Sequence, residues 1–265
     1  MSGRKSRQDW NEARALEFAM SLGEMEVWFQ PQVGCDERLK GFEALVRWNH
    51  PLRGLIRPDE FIPDAERTGL IHTLGNRIMA QACRDCRDWE TSGAEDLSVA
   101  VNASAVQFEQ PDFADQVIAT VSAAGLDPSR LIVELTETAL LTDLDGTAEH
   151  LRRLRAAGVH TALDDFGSGY ATLTCLATLP IEAIKLDHRF VRRTIDHKPA
   201  MLGSVIAMAH QIGYLVIGEG AETSADVSFL RNAGCDRIQG FYYGRPVPAC
   251  TAARLCGKLP MTATD

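Results

Sequence analysis

The chain lacks any uninterrupted apolar run of the roughly 18–20 residues that a membrane-crossing helix needs, so no segment reads as a span. It also lacks a cluster of basic residues. Its 27 lysines and arginines against 36 acids leave a net charge of −9. Proteins that grip duplex nucleic acid usually carry a basic face, so that partner is not expected. A small phosphate ligand fits such a chain if cations screen the acids. A cysteine framework is missing as well: seven cysteines, an odd number without regular spacing, read as free thiols of a reducing cytosol. Cys83 and Cys86 form a CxxC without a second pair, inside a helical pattern, and read as helix filler. Met1–Asp9 is polar and mixed in charge, unlike a signal peptide. No internal repeat, linker or low-complexity segment is evident.

What is present is an ordinary globular balance, 45% hydrophobic and 24% charged over 265 residues. That length suits one α/β barrel or two smaller domains. Glu26–Val33 and Leu39–Trp48 read as a hairpin around Gly34-Cys35-Asp36. Asp59–Thr68 and Ile71–Trp89 read as helices. The alternation then becomes regular. Strands are predicted at Leu97–Asn102, Leu131–Leu135, Val159–Asp164, Ile181–Leu186, Tyr214–Gly218 and Arg237–Gln239. Helices fall between them at Phe113–Ala124, over the face of Leu144, Ala148, Leu151 and Leu154, at Pro199–Ile212 and at Ala225–Asn232. Strands separated by helices imply a parallel sheet. About eight strands fit a closed (β/α)₈ barrel. The rival, an open doubly wound sheet, normally shows a Gly-rich phosphate loop after an early strand; here only the short glycine turn Gly167-Ser168-Gly169-Tyr170 occurs.

Polar residues gather along the strands, Glu43 within the second segment and Asn102, Glu134, Asp164, Asp165, Lys185, Glu219 and Gln239 at or near strand ends. Barrel active sites are assembled from the ends of several strands. A buried carboxylate needs a partner or a metal, and several meeting at one mouth would repel one another. Carboxylates with one amide oxygen are hard donors suited to Mg²⁺ or Mn²⁺; no His-x-x-x-His or Cys/His cluster suggests zinc. Adjacent Asp164-Asp165 suits two ions, one acid bridging and its neighbour holding the second. Two such ions are a common device for displacement at phosphorus. Lys185, among acids, is placed to orient a water or to neutralise developing charge.

Eight short motifs follow in order: Glu43-Ala44-Leu45-Val46-Arg47-Trp48, His50-Pro51 with Glu60-Phe61-Ile62-Pro63, Val101-Asn102-Ala103-Ser104, Glu134-Leu135-Thr136-Glu137, Asp164-Asp165-Phe166-Gly167-Ser168-Gly169-Tyr170, Ile184-Lys185-Leu186-Asp187, Gly218-Glu219-Gly220-Ala221-Glu222-Thr223 and Gln239-Gly240-Phe241 with Pro246. From about Trp28 to Pro248 the chain resembles the EAL-domain family of cyclic di-GMP-specific phosphodiesterases.

That resemblance implies a modified TIM barrel with one antiparallel strand, comprising residues 26–265 behind a lead-in helix at 1–25. It implies two Mg²⁺ or Mn²⁺ ions, one held by Glu43, Asn102, Glu134 and Asp164, the second reached through Asp164 and Asp165, with Glu219 also in the ligand set. Lys185, Glu219 and Glu43 are the expected catalytic group. Arg47, Leu45, Asp187 and Gln239 are expected to meet the substrate, Arg47 through a phosphate. Glu137 would brace the loop that carries Phe166 and Gly167, and Glu222 would support the site. The implied reaction opens c-di-GMP to linear 5′-pGpG in a cytoplasmic setting. A homodimer and an upstream sensory or diguanylate-cyclase-type domain are the implied partners. Two departures are Gly218, where the family pattern has alanine, and Ala221, where it has valine; both bear on packing beside Glu219. His50 reads as a turn residue. Tyr242 and Tyr243 either stack on a guanine or pack at the rim. The competing functions are a c-di-GMP- or protein-binding module without turnover, and a metal-free glycosidase using an acid pair.

Overall fold

The computed structural model describes residues 7–92, 94, 96–137, 143–167, 176, 178–197 and 199–256, with side chains excepted at 7–12, 91, 92, 195–197 and 199. Ser168, Gly169 and Tyr170 of the expected loop lie outside the described residues. A helix, α1 (Arg7–Leu22), leads into strands β1 (Met25–Gly34), β2 (Leu39–His50) and β3 (Gly54–Ile56). Helices α2 (Pro58–Thr68) and α3 (Ile71–Asp88) follow. Then come β4 (Ser98–Ala103), the short α4 (Ala105–Phe108), α5 (Phe113–Ala124), β5 (Leu131–Thr136), α6 (Leu144–Ala156), β6 (His160–Phe166) and β7 (Ala183–Leu186). The chain continues through α7 (His188–His197), α8 (Pro199–Ile212), β8 (Leu215–Gly218), α9 (Ser224–Ala233), β9 (Arg237–Gln239), β10 (Val247–Pro248) and α10 (Ala249–Leu255).

The hydrogen-bonded order β1-β9-β8-β7-β6-β5-β4-β2 closes through the β1–β2 pair. β1 runs antiparallel to both neighbours, and the other barrel pairs are parallel. This is the modified TIM barrel with one reversed strand. The hairpin is the cause: Gly34 and the turn after it return the chain beside β1, where a helical crossover would have kept the strands parallel. Edge strands β3 and β10 extend β2 and β1 outside the ring, and neither was expected from the sequence.

Local chemistry explains the helices around the barrel. Pro58 opens α2, Asp59 and Glu60 occupy its first turn, and Gly69 closes it in the left-handed conformation. Asp143 caps α6 through the Gly146 N–H. Thr223 and Asp226 form a reciprocal capping box at the start of α9. Most of the core lies between the barrel wall and these helices, and there Cys83 and Cys86 are buried, with thiol pKa values pushed up to about 12 by burial. Leu16, Ala19 and Met20 of α1 join Trp48, Phe61 and Leu74 in a second apolar cluster.

A third cluster decides where function can sit. Ala100, Ile132, Ala162, Ala183 and Ile217, one from each of five adjacent strands, plug the barrel axis. Side chains two apart on a strand share a face. The next inward positions are therefore Asn102, Glu134, Asp164, Lys185 and, just past β8, Glu219. A polar layer thus rests directly on an apolar one, at the C-terminal ends of the strands.

Candidate active site

Lys185 occupies the centre of the polar layer. Its Nζ lies 2.9 Å from Glu134 Oε2, 3.0 Å from Glu219 Oε1, 3.2 Å from Asp164 Oδ1 and 3.4 Å from Glu43 Oε2. Glu43 also accepts from Asn102 Nδ2 at 2.6 Å and from Gln239 Nε2 at 2.5 Å. Glu43, Asp164, Lys185, Glu219 and Gln239 line a cavity of about 440 Å³, with Gln30, Arg57, His188, Glu222 and Phe241 at its walls.

One ammonium does not balance these carboxyls. Burial opposes the charge on Glu43, but Lys185 and the amide hydrogen bonds outweigh it, and its carboxyl sits below the ordinary range. Burial, reinforced by Glu43 and Asp164, holds Glu134 well above that range. Asp164 is raised by burial and by Glu43. Burial lifts Glu219 to about 8, with Asp164 and Glu43 adding to the shift against Lys185. Burial acts against the Lys185 charge too, yet the four carboxylates keep its pKa well above normal. Further positive charge would relieve the site.

The donor set fits divalent cations. Glu43, Glu134 and Asp164 offer oxygens within 4.8 Å of one another, and so do Asp164, Asp165 and Glu219. The two groups share Asp164. Among the described residues Glu134 Oε1 is buried without a hydrogen-bond partner, a buried acceptor that a cation would satisfy. Asp165 is set apart from its neighbour by the backbone. It adopts φ 56°, and the register of β6 shifts between Leu163 and Phe166, so adjacent acids serve different groups.

The remaining expected residues have varied surroundings. Leu45 lies in the wall between the acidic cavity and a mostly apolar one of about 670 Å³ bounded by α2, α3 and the end of β4. Arg47, half-buried on the same face of β2, donates to the Val46 carbonyl. Asp187 is buried and accepts from the Arg189 and Phe190 N–H groups, capping α7. Glu137 accepts from the Gly167 N–H at 3.0 Å. Gly167 has φ 96°, and a Cβ there would lie 2.6 Å from the Phe190 ring, so only glycine fits between Phe166 and α7. Glu222 stands at the exposed rim, 3.8 Å from Arg192.

His50 accepts from the N–H groups of Leu52 and Arg53 and shapes the turn. Tyr243 is buried within the main apolar core, which resolves it as packing. Phe241 is instead the exposed aromatic at the mouth, with the Arg245 guanidinium 4.1 Å above its ring. Gln30, Gln32, Arg57, His188 and Phe241 were not among the expected site residues. The two glutamines had a signal: they alternate with apolar residues over Phe29–Val33, which puts both on the inner face of β1.

A closed barrel whose C-terminal mouth gathers carboxyls, an amide and a buried lysine around one cavity has the form of a cation-binding barrel enzyme. The chain belongs to the EAL domain family, whose profile matches residues 13–246. It is 38% identical over 237 residues to the bifunctional diguanylate cyclase/cyclic di-GMP phosphodiesterase MucR of Pseudomonas aeruginosa, covering 88% of this chain and 35% of MucR. It is 37% identical over 247 residues to the cyclic di-GMP phosphodiesterase NbdA of the same organism, covering 92% of this chain and 32% of NbdA. Among solved structures, the MucR phosphodiesterase in complex with c-di-GMP superposes with a TM-score of 0.86 at 36% identity, covering 91% of this chain and 99% of the other. The EAL enzyme Bd1971 with cAMP and cyclic di-GMP gives a TM-score of 0.88 at 27% identity, covering 94% of this chain and 69% of the other. The chain spans about a third of the length of these curated relatives.

Proposed function

We propose that the protein is a divalent-cation-dependent phosphodiesterase that hydrolyses c-di-GMP to linear 5′-pGpG, lowering the level of that second messenger. The observation that carries the reading is the pair of overlapping carboxyl groups sharing Asp164 beside the orphaned Glu134 Oε1. Glu43, Asn102, Glu134 and Asp164 would hold one Mg²⁺ or Mn²⁺, and Asp164, Asp165 and Glu219 a second. Bound there, the ions would supply Lewis acidity towards water and the scissile phosphodiester.

The chain's own residues do the rest. Lys185 and Glu219, 3.0 Å apart, orient the attacking water, and Glu219 takes up its proton. Water oxygen bonds to phosphorus as its proton passes to Glu219, the bond to the 3′ oxygen breaks, and that oxygen takes up a proton from solvent. Arg47 meets a phosphate of the substrate, helped by the neighbouring guanidinium of Arg57. Leu45, shared by both cavities, supports a dinucleotide reaching from the acidic cavity into the apolar one. Asp187 acts through α7, and Glu137 through Gly167 and the loop that follows Asp164. MucR combines a phosphodiesterase with a diguanylate cyclase, which supports a comparable upstream or sensory domain as the controlling partner; a homodimer in the cytoplasm completes the proposal.

The test is incubation of pure protein with c-di-GMP and Mg²⁺ or Mn²⁺, with the product identified by chromatography and cyclic GMP-AMP and cAMP as controls. Appearance of 5′-pGpG, abolished by EDTA and restored by added cation, is the expected result. Undiminished cleavage in excess chelator would refute the cation mechanism, and tight binding without turnover would make the domain a receptor.

A further inference from the structure

Beneath Glu43 the barrel wall carries a chain of three carboxamides. Gln30 and Gln32 lie two residues apart on β1, and Gln30 is paired directly with Glu43 in the β1–β2 ladder. Gln30 Nε2 donates to the Gly244 carbonyl at 3.3 Å, which leaves Gln30 Oε1 to accept from Gln239 Nε2 at 3.2 Å. Gln32 Nε2 donates to Gln239 Oε1 at 2.9 Å. Together these contacts allow one orientation of the Gln239 amide: oxygen towards Gln32, nitrogen towards Gln30 and Glu43 Oε2. Reversed, the amide would set its oxygen against the Glu43 carboxylate and its NH₂ against the NH₂ of Gln32.

Gln32 is fully buried, and among the described residues its Oε1 has no partner. A buried carbonyl left unpaired carries a desolvation cost that an apolar side chain of similar shape avoids. The useful half of this amide is its N–H donor, and among the described residues that donor serves Gln239 alone. We propose that Gln32 is a positioning residue for cation binding, one that locks the Gln239 amide and through it fixes the Glu43 carboxylate. The inference rests on the reading of Glu43 as a cation ligand.

The test is Mn²⁺ titration of metal-free protein, followed by the electron paramagnetic resonance signal of free Mn²⁺. Gln32→Met removes the donor at nearly constant volume. It is expected to weaken Mn²⁺ binding by about 10-fold, the effect of losing a residue that orients a ligand, while thermal unfolding stays cooperative. A residue that merely fills space would give the opposite result, a changed Tm with unchanged affinity. In a Gln239→Leu background, Gln32→Met should add nothing. Gln32→Leu repeats the measurement with a second apolar shape, so that a packing failure of one variant does not decide the matter. Affinities within twofold of the parent, or a full additional loss in the Gln239→Leu background, overturn this inference alone. A parent protein that binds no Mn²⁺ removes the cation site and this inference together.

Discussion

Lys185 and Glu134 form an ion pair of 2.9 Å with both side chains sealed from solvent, at 1% and 0% exposure. Neither could remain charged alone at that depth. Lys185→Met removes the one ammonium shared by four carboxyls. In metal-free buffer it should cost about 3 kcal/mol, in the range seen when one partner of a buried pair is removed, with some of the loss absorbed by protonation of the acids. Turnover should fall at least about 100-fold, as for loss of a positioned electrostatic group. Urea denaturation and initial rates at saturating Mn²⁺ measure the two effects separately.

The raised carboxyls fix a pH dependence. Burial lifts Glu219 to about 8, so at neutral pH without cations its carboxyl holds a proton, and burial shifts Glu134 and Asp164 in the same direction. A cation must displace the Glu219 proton to bind there. Mn²⁺ affinity should therefore rise as pH increases from 6 towards 8, and binding should release protons. Calorimetry in two buffers of different ionisation enthalpy measures that release. A binding heat independent of buffer would contradict the protonated resting state.

The periodic part of this fold was plain in the sequence, because a buried parallel strand is a short apolar run and Phe113–Ala124 and Pro199–Ile212 carry clear helix punctuation. The site was plain for a related reason: Glu134 and Asp164 interrupt apolar runs near their ends, and Glu43 interrupts one from within. Residues whose meaning depends on distant partners were harder to read. Gln32 meets Gln239 across 207 positions, and Lys185 is distinguished from a surface lysine only by the four strands around it. Helix α7 is hard to read in the sequence because His188, Arg189, Arg192 and Arg193 mask its short apolar stripe.

Gly218 gives a structural explanation for one departure from the family pattern. A Cβ on it would lie 2.8 Å from Leu230 Cδ2 and 3.0 Å from Cys235 Sγ. The side chains behind β8 fill the space that an alanine would occupy. Gly218→Ala alone should destabilise the protein by about 1–3 kcal/mol through overpacking. Leu230→Val in the same chain should recover part of that loss. Denaturation midpoints of the single and double variants test the compensation, and a neutral Gly218→Ala would show that Leu230 simply moves aside.

Asp226 ties the rim of the site to stability at low pH. Burial raises the cost of its charge, but hydrogen bonds from the Glu222 and Thr223 N–H groups and the Thr223 hydroxyl, with Arg192 alongside, outweigh burial and lower its pKa. A carboxyl whose folded pKa lies below its unfolded value binds fewer protons when folded. Its contribution is complete above the unfolded range near about 3.9 and disappears as pH falls through the lower folded value. Asp226→Asn keeps one acceptor oxygen but loses the charge and the Arg192 pair. At pH 7 it should cost about 1–2 kcal/mol, the size of a lost helix cap. The difference from the parent should shrink below about pH 4, once the parent's carboxyl is itself protonated. Urea melts of both proteins from pH 7 to 3 measure this convergence; a gap that stays constant with pH would mean that the amide's shape, and not the lost charge, causes the instability.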